Sequence, residues 1–122
     1  MRKIILVVLP LFIFLASCSK SELNRPPVDE SYWLRQDRGV VVASDYSTPY
    51  FVLETSRGYS VIRTWGGSAP YSGSVMYGDF TGYGGRSLYN RSEGYISDFD
   101  VRDYWLSYYA AMDEWQYLSS SY

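Results

Sequence analysis

The sequence contains no histidine and only one cysteine among its 122 residues, and each scarcity excludes a class of function. Without histidine, the chain lacks the most common general base at neutral pH and the most common metal ligand. It also lacks every serine–histidine or cysteine–histidine nucleophile arrangement. The single cysteine, Cys18, cannot form a disulfide within the chain. We therefore expect a protein that is not an enzyme, needs no cofactor and binds no metal.

Lysine is also rare, and beyond residue 17 only Lys20 remains. That part of the chain has 105 residues, with nine basic and thirteen acidic side chains. An acidic chain without a basic patch does not attract a phosphate backbone, so no nucleic-acid partner is expected. Aromatic residues, in contrast, are abundant at 19% of the chain, with fourteen tyrosines and four tryptophans. Their rings bury a large apolar area while a polar tip stays in water, which helps a small domain to fold.

The first seventeen residues have the composition of a secretory signal peptide. Two basic residues, Arg2 and Lys3, precede an apolar run over residues 4–15. A helix needs about 20 apolar residues to span a bilayer, so this run is too short for a permanent anchor. A basic start, an apolar stretch of this length and small residues after it are typical of an export signal that is removed. We therefore predict a signal peptide over residues 1–17.

The residues that follow the apolar run, Leu15-Ala16-Ser17-Cys18, resemble the lipobox of bacterial lipoproteins. The resemblance implies cleavage before Cys18 and attachment of a diacylglyceryl group to its thiol, often with a further acyl chain such as palmitate on the new amine. Because Ser19 rather than an aspartate follows the cysteine, it also favours the outer membrane. The protein is therefore expected in the cell envelope, after export to the periplasm, and attached to the membrane by its N-terminal lipid.

Residues 18–31, which begin with the cysteine, are polar and contain Pro26-Pro27. This composition predicts a lipidated tether. A single globular domain is predicted over residues 32–122. In that domain, β-branched and aromatic segments alternate with glycine and polar turns, which is the pattern of antiparallel strands. Ser56-Arg57-Gly58 fits a three-residue hairpin turn with a positive φ at the glycine. The segments predicted as strands are 40–43, 50–53, 59–65, 74–80, 86–89 and 95–99.

The C-terminal segment changes to a helical period, because apolar residues from Val101 to Leu118 share one face of a helical wheel. Asp100 is expected to cap this helix. The acidic cluster Asp98, Asp100 and Asp103 lacks the glycine and closing glutamate of a calcium loop, which favours the capping interpretation. The predicted fold class is α+β, with a small antiparallel sheet of about five strands and one C-terminal helix packed on it. A small β-barrel with a helical lid is the alternative.

Only aromatic side chains suggest a binding surface. Trp65, Tyr71, Tyr77 and Tyr83 lie on or beside glycine-rich turns, where rings can cover the core edge, anchor a protein interface or stack on a sugar. The leading expectation is a lipid-anchored envelope protein whose small non-catalytic domain binds or supports another envelope protein. The alternative is a module that binds glycan or peptidoglycan with exposed tryptophan and tyrosine rings.

Overall fold

The structure, a computed structural model, describes residues 28–121. The predicted signal peptide, Cys18 and the tether as far as residue 27 lie outside the described residues. Within them, a one-turn helix precedes six strands, and a longer helix follows the last strand. The elements are α1 (Glu30–Trp33), β1 (Asp37–Ser44), β2 (Tyr50–Thr55), β3 (Gly58–Thr64), β4 (Val75–Gly78), β5 (Gly84–Asn90), β6 (Tyr95–Leu106) and α2 (Tyr108–Ser120).

The six strands form one closed antiparallel barrel in the order β1-β2-β3-β6-β5-β4, and β4 pairs with β1 to close it. The predicted α+β class is confirmed in its barrel form, with six strands instead of about five. Closure leaves no strand with an unpaired edge, which protects a β-rich domain from pairing with other chains.

The hairpin between β2 and β3 shows how closely a local sequence signal can specify the backbone. Thr55 pairs with Gly58, so the loop contains two residues, Ser56 and Arg57, and not the predicted three. Gly58 has the predicted positive φ, at +124°. A Cβ atom at this position would lie 2.9 Å from the carbonyl oxygen of Leu106. Glycine is therefore required both by the backbone conformation and by the close approach of β6.

The interior of the barrel is filled by side chains that alternate with outward-facing ones along each strand. On β2, Phe51 and Leu53 belong to the interior core, whereas Val52 between them packs outside the barrel. Phe51 and Phe99 meet edge to face, with ring centroids 5.7 Å apart. Burial of these side chains is the main stabilising contribution to the barrel. The interior core contains Val41, Phe51, Leu53, Ile62, Ala69, Met76, Phe80, Leu88, Phe99 and Val101.

Helix α2 covers the outer face of the barrel over β2 and β3. Its Ala111 is fully buried against Val52 and Val61, and Met112, Trp115 and Leu118 pack against the same cluster. The Trp115 indole N–H donates a hydrogen bond of 2.8 Å to the carbonyl oxygen of Tyr50, which fixes the helix to β2. The prediction of one C-terminal helix packed on the sheet is thus confirmed.

The helix begins later than predicted, because residues 101–106 continue strand β6. Asp100 lies within the strand, and Ser107 is the N-cap, with its hydroxyl accepting a hydrogen bond from the Ala110 backbone N–H at 3.2 Å. Strand β6 pairs with β3 on one side and β5 on the other, and Val101 is buried in the barrel. These non-local backbone hydrogen bonds and the burial of Val101 outweigh the helical period of the sequence.

Glu30, within the predicted tether of residues 18–31, contacts the barrel. The Glu30 carboxylate accepts hydrogen bonds from the Tyr89 hydroxyl at 2.7 Å and from the Arg91 guanidinium at 3.2 Å. These contacts lower the pKa of Glu30, mainly through the Tyr89 hydrogen bond. Helix α1 therefore docks on the barrel as part of the domain. Over residues 28–121, no helix has the length and apolar character needed to cross a membrane.

Candidate functional site

The structure separates the four aromatic residues that the sequence suggested as a binding set. Trp65 and Tyr71 are 54% and 75% exposed in the connection from β3 to β4. Tyr83 is 67% exposed in the next connection, from β4 to β5, which lies at the opposite end of the barrel. Tyr77 is only 8% exposed on β4, so the expectation that it presents a binding ring is incorrect. Tyr77 pairs with Arg38 of β1 and Tyr89 of β5, so the side chains of these residues flank it on the same face of the sheet.

Tyr83 belongs to a group of rings that extends beyond the predicted set. Its ring packs edge to face on Tyr104, with centroids 5.1 Å apart. Tyr104 in turn packs edge to face on Trp105 at 5.3 Å. Aromatic rings prefer this edge-to-face geometry, and each contact helps to fix the orientation of the two rings.

A second row of rings lies at the junction of β6 and α2. Tyr59 on β3 packs on Tyr108 at 5.5 Å, and Tyr108 packs on Tyr109 at 5.4 Å. The first row contains Tyr104 and Trp105 at the end of β6, and the second contains Tyr108 and Tyr109 at the start of α2. Both rows therefore lie at the junction of the last strand and the helix. We call this surface the aromatic corner. It consists of Tyr59, Tyr83, Tyr104, Trp105, Tyr108 and Tyr109.

A β-bulge shapes the aromatic corner. Tyr59 pairs with Leu106 and Val61 pairs with Asp103, so two residues of β6, Tyr104 and Trp105, face a single residue of β3. An extra residue in one strand bends that strand and changes the direction of its side chains. Bulges are frequent beside functional sites for this reason.

The bulge holds Trp105 in an unfavourable backbone conformation. Its φ is +57°, and it is the only non-glycine residue with a positive φ over residues 28–121. A bulky residue in this region costs on the order of 1–3 kcal/mol. The side chain is 58% exposed, so burial of the ring offsets little of this cost. Strain that is retained at an exposed aromatic residue points to a binding role.

A pair of carboxyl groups, Asp103 and Glu114, lies beside the corner. Partial burial, together with a hydrogen bond to Asp103 and the charge of Asp103, raises the pKa of Glu114 to about 7. The Asp103 carboxylate also accepts a hydrogen bond of 2.9 Å from the Tyr104 backbone N–H. Its negative charge is the main cause of a raised pKa for the Tyr83 hydroxyl. Asp103 therefore links the acidic pair to the first row of rings.

We expect the titration of Glu114 to make the domain less stable as the pH rises. Its folded pKa of about 7 lies above the ordinary value of 4.5, so folding favours the protonated carboxyl group. The contribution of Glu114 to the free energy of unfolding should be largest below pH 4.5 and should fall until the pH passes 7. Because the group is only partly buried and solvent screens its charge, we expect a loss of about 1 kcal/mol.

Urea unfolding at several pH values across this range measures the effect. Glu114→Gln should remove most of the pH dependence, whereas Asp113→Asn, at the neighbouring exposed position of α2, should retain it. If the free energy of unfolding of Glu114→Gln falls with pH as steeply as that of the unaltered protein, the assignment to Glu114 is contradicted.

The sequence placed Tyr104, Trp105 and Tyr108 on the buried face of one long helix, and the aromatic corner was missed for that reason. Ser107 carried the signal that could have revealed it, because serine is a preferred N-cap and separates the strand from the helix. The bulge itself depends on pairing with β3 and leaves no local signature in β6.

Two shallow clefts lie elsewhere on the barrel. One, of about 210 Å³, is lined by Trp65, Gly85, Arg86, Ser87, Asp98 and Phe99. The other, of about 260 Å³, is lined by Arg38, Val75, Arg91 and Ser92. Tyr71 borders neither cleft and packs on none of the rings of the aromatic corner.

The described part of the chain, residues 28–121, contains no cluster of three or more potential metal-ligating side chains. Comparisons with family models, curated proteins and solved structures find no match to this chain.

Proposed function

We propose that this protein is a lipid-anchored, non-catalytic component of the cell envelope that binds another envelope protein through the aromatic corner. The acyl chains on Cys18 hold it in the outer membrane, and the barrel presents the corner to the partner. The observation that carries the proposal is Trp105, an exposed ring kept in a strained conformation by a bulge.

The composition of the corner supports a protein partner. Tryptophan and tyrosine are the side chains most often found at the energetic centre of protein interfaces. Trp105 and Tyr109 are 58% and 79% exposed, so both have a large area left to bury on binding. The edge-to-face contacts within each row fix the rings before binding, which lowers the entropy lost when a complex forms.

Charge indicates which partner surface fits the corner. Asp103 and Glu114 form the acidic pair beside the rings, and Asp113 adds a further exposed carboxylate on α2. A complementary surface carries basic side chains near its apolar centre. Arginine suits both features, because its guanidinium group pairs with carboxylates and stacks on aromatic rings. We infer a partner that contacts the corner through a basic surface.

Trp105→Gly separates binding from folding and tests the proposal. Glycine accepts a φ of +57° without strain, so the free energy of unfolding should stay the same or rise by about 1 kcal/mol. Loss of the indole ring should nevertheless remove at least about 2 kcal/mol of binding energy, the usual threshold for an interface hot spot. Chemical crosslinking in membranes, followed by mass spectrometry, should recover one partner with the unaltered protein and lose it with Trp105→Gly.

Tyr46→Ala provides a matched control. Tyr46 is 86% exposed in the connection from β1 to β2, at the end of the barrel away from the junction of β6 and α2. This variant should recover the same partner as the unaltered protein. Equal recovery of the partner with Trp105→Gly would overturn the proposed role of the corner.

A further inference from the structure

Trp65 forms an oriented platform at the rim of the smaller cleft. Its ring is 54% exposed, and the Arg63 guanidinium lies over the ring, 5.1 Å from its centroid. The same guanidinium lies 5.9 Å from the centroid of Tyr50. The Trp65 backbone N–H also donates to the carbonyl oxygen of Asp98 at 3.4 Å, which ties the platform to β6. The cation covers one face of the indole and leaves the other face available for stacking.

Hydrogen-bonding groups stand beside this platform. Ser87 on β5 pairs with Asp98 on β6, and the Ser87 hydroxyl donates a hydrogen bond of 2.9 Å to the Asp98 carboxylate. Asp98 is exposed and retains further lone pairs that can accept hydrogen bonds from a ligand. Sugar hydroxyl groups are suitable donors for such a carboxylate.

Glycine keeps the floor of the cleft open. A Cβ atom at Gly85 would find only the carbonyl oxygen of Phe99 within reach, at 3.9 Å, so the space above this residue is free. The Arg86 side chain is already engaged, since its guanidinium donates to the carbonyl oxygen of Thr81 at 3.0 Å and lies 3.8 Å from the Asp79 carboxylate. Asp98 carries the one carboxylate among the residues that line the cleft.

We propose that the Trp65 cleft is a carbohydrate site that holds one neutral pyranose unit of a polysaccharide. The apolar face of the sugar stacks on the indole ring, and its hydroxyl groups bind Asp98 and Ser87. The volume of about 210 Å³ lies below the roughly 300–1,000 Å³ of pockets for drug-sized ligands and suits a single sugar unit. The negative charge of Asp98 disfavours uronic acids and other acidic sugars.

This site is separate from the aromatic corner and from its protein partner. Asp98 and Trp105 are seven residues apart on the same strand, which corresponds to about 20 Å at the usual rise per residue. Loss of one site should leave the other intact, so the two proposals succeed or fail independently.

The test uses the full mature lipidated protein in a detergent without a sugar headgroup, labelled with ¹⁵N at the indole nitrogens. Two neutral probes, the trisaccharide of N-acetylglucosamine and maltotriose, are compared with an acidic trisaccharide of galacturonate. At least one neutral probe should shift the Trp65 indole resonance while the Trp105 resonance stays in place. The acidic probe should bind about tenfold more weakly or worse.

Three variants locate the binding. Trp65→Ala should raise the Kd of the neutral probe at least about tenfold, and Asp98→Asn should raise it several-fold without altering the shape of the cleft. Tyr71→Ala removes a still more exposed ring from the same connection and should leave the Kd unchanged. If Trp65→Ala fails to fold, Asp98→Asn decides the matter.

Specific results would overturn the carbohydrate site. No shift of the Trp65 resonance with either neutral probe up to about 10 mM, the weak end of measurable affinity, is one such result. An unchanged Kd in Asp98→Asn is another. Loss of the protein partner in Trp65→Ala, without any sugar binding, would assign the cleft to the protein interface instead.

Discussion

Phe51→Ala is expected to destabilise the domain by about 3–5 kcal/mol, the range observed when a buried phenylalanine is truncated. Phe51 is fully buried at the centre of the barrel, and its ring packs edge to face on Phe99. Truncation removes both the apolar area and this ring pair, and a closed barrel cannot move its strands inwards to refill the space. Small domains have a total stability of about 5–15 kcal/mol, so much of the margin would be lost.

Urea unfolding monitored by circular dichroism measures this loss. Tyr46→Ala removes an aromatic ring that is 86% exposed, and we expect it to change the free energy of unfolding by less than about 0.5 kcal/mol. A Phe51→Ala midpoint equal to that of the unaltered protein would show that the interior core does not stabilise the barrel as described.

Cys18→Ala is expected to abolish lipidation and membrane attachment, since it removes the only thiol in the chain. Each buried methylene contributes about 0.8 kcal/mol to membrane affinity, so two or three acyl chains hold a protein stably where one holds it marginally. The acidic composition of the remaining chain offers no substitute through attraction to anionic lipids. Labelling with a palmitate analogue should therefore mark the unaltered protein and leave Cys18→Ala unmarked.

Fractionation and mass spectrometry complete this test. The unaltered protein should appear in the outer membrane with Cys18 as its modified first residue, whereas Cys18→Ala should lose stable membrane attachment or keep residues 1–17. Ser21→Ala, three residues further along, should retain the label and the location. A labelled Cys18→Ala protein, or a native protein that keeps the first seventeen residues and a free thiol, would refute the lipoprotein proposal.

Local patterns predicted the strands because the alternation of strand-forming segments with turn residues can be recognised within a few consecutive positions. The Ser56–Gly58 turn illustrates this, since the positive φ of its glycine could be predicted from the sequence and is observed. The segment 101–106 illustrates the opposite case. Its spacing fits a helix equally well, and pairing with β3, from a distant part of the chain, makes it a strand.

The same distinction explains what the sequence could reveal of the candidate sites. Trp65, beside paired glycines, was one of the four candidate binding rings and lies on a cleft. Tyr77, equally close to glycine, is buried on β4, where the side chains of its pairing residues Arg38 and Tyr89 flank it on the same face. The aromatic corner arises from a bulge opposite Ser60, so no inspection of β6 alone could have located it.

The central claim is that the aromatic corner binds a protein partner. Site-specific photo-crosslinking in living cells tests it most directly. A photoreactive amino acid replaces Tyr109, which is 79% exposed within the corner, or Tyr46 at the other end of the barrel. We predict one defined protein adduct from position 109 that disappears when Trp105→Gly is added, and no such adduct from position 46. The absence of an adduct at position 109, or the same adduct from both positions, would contradict the account.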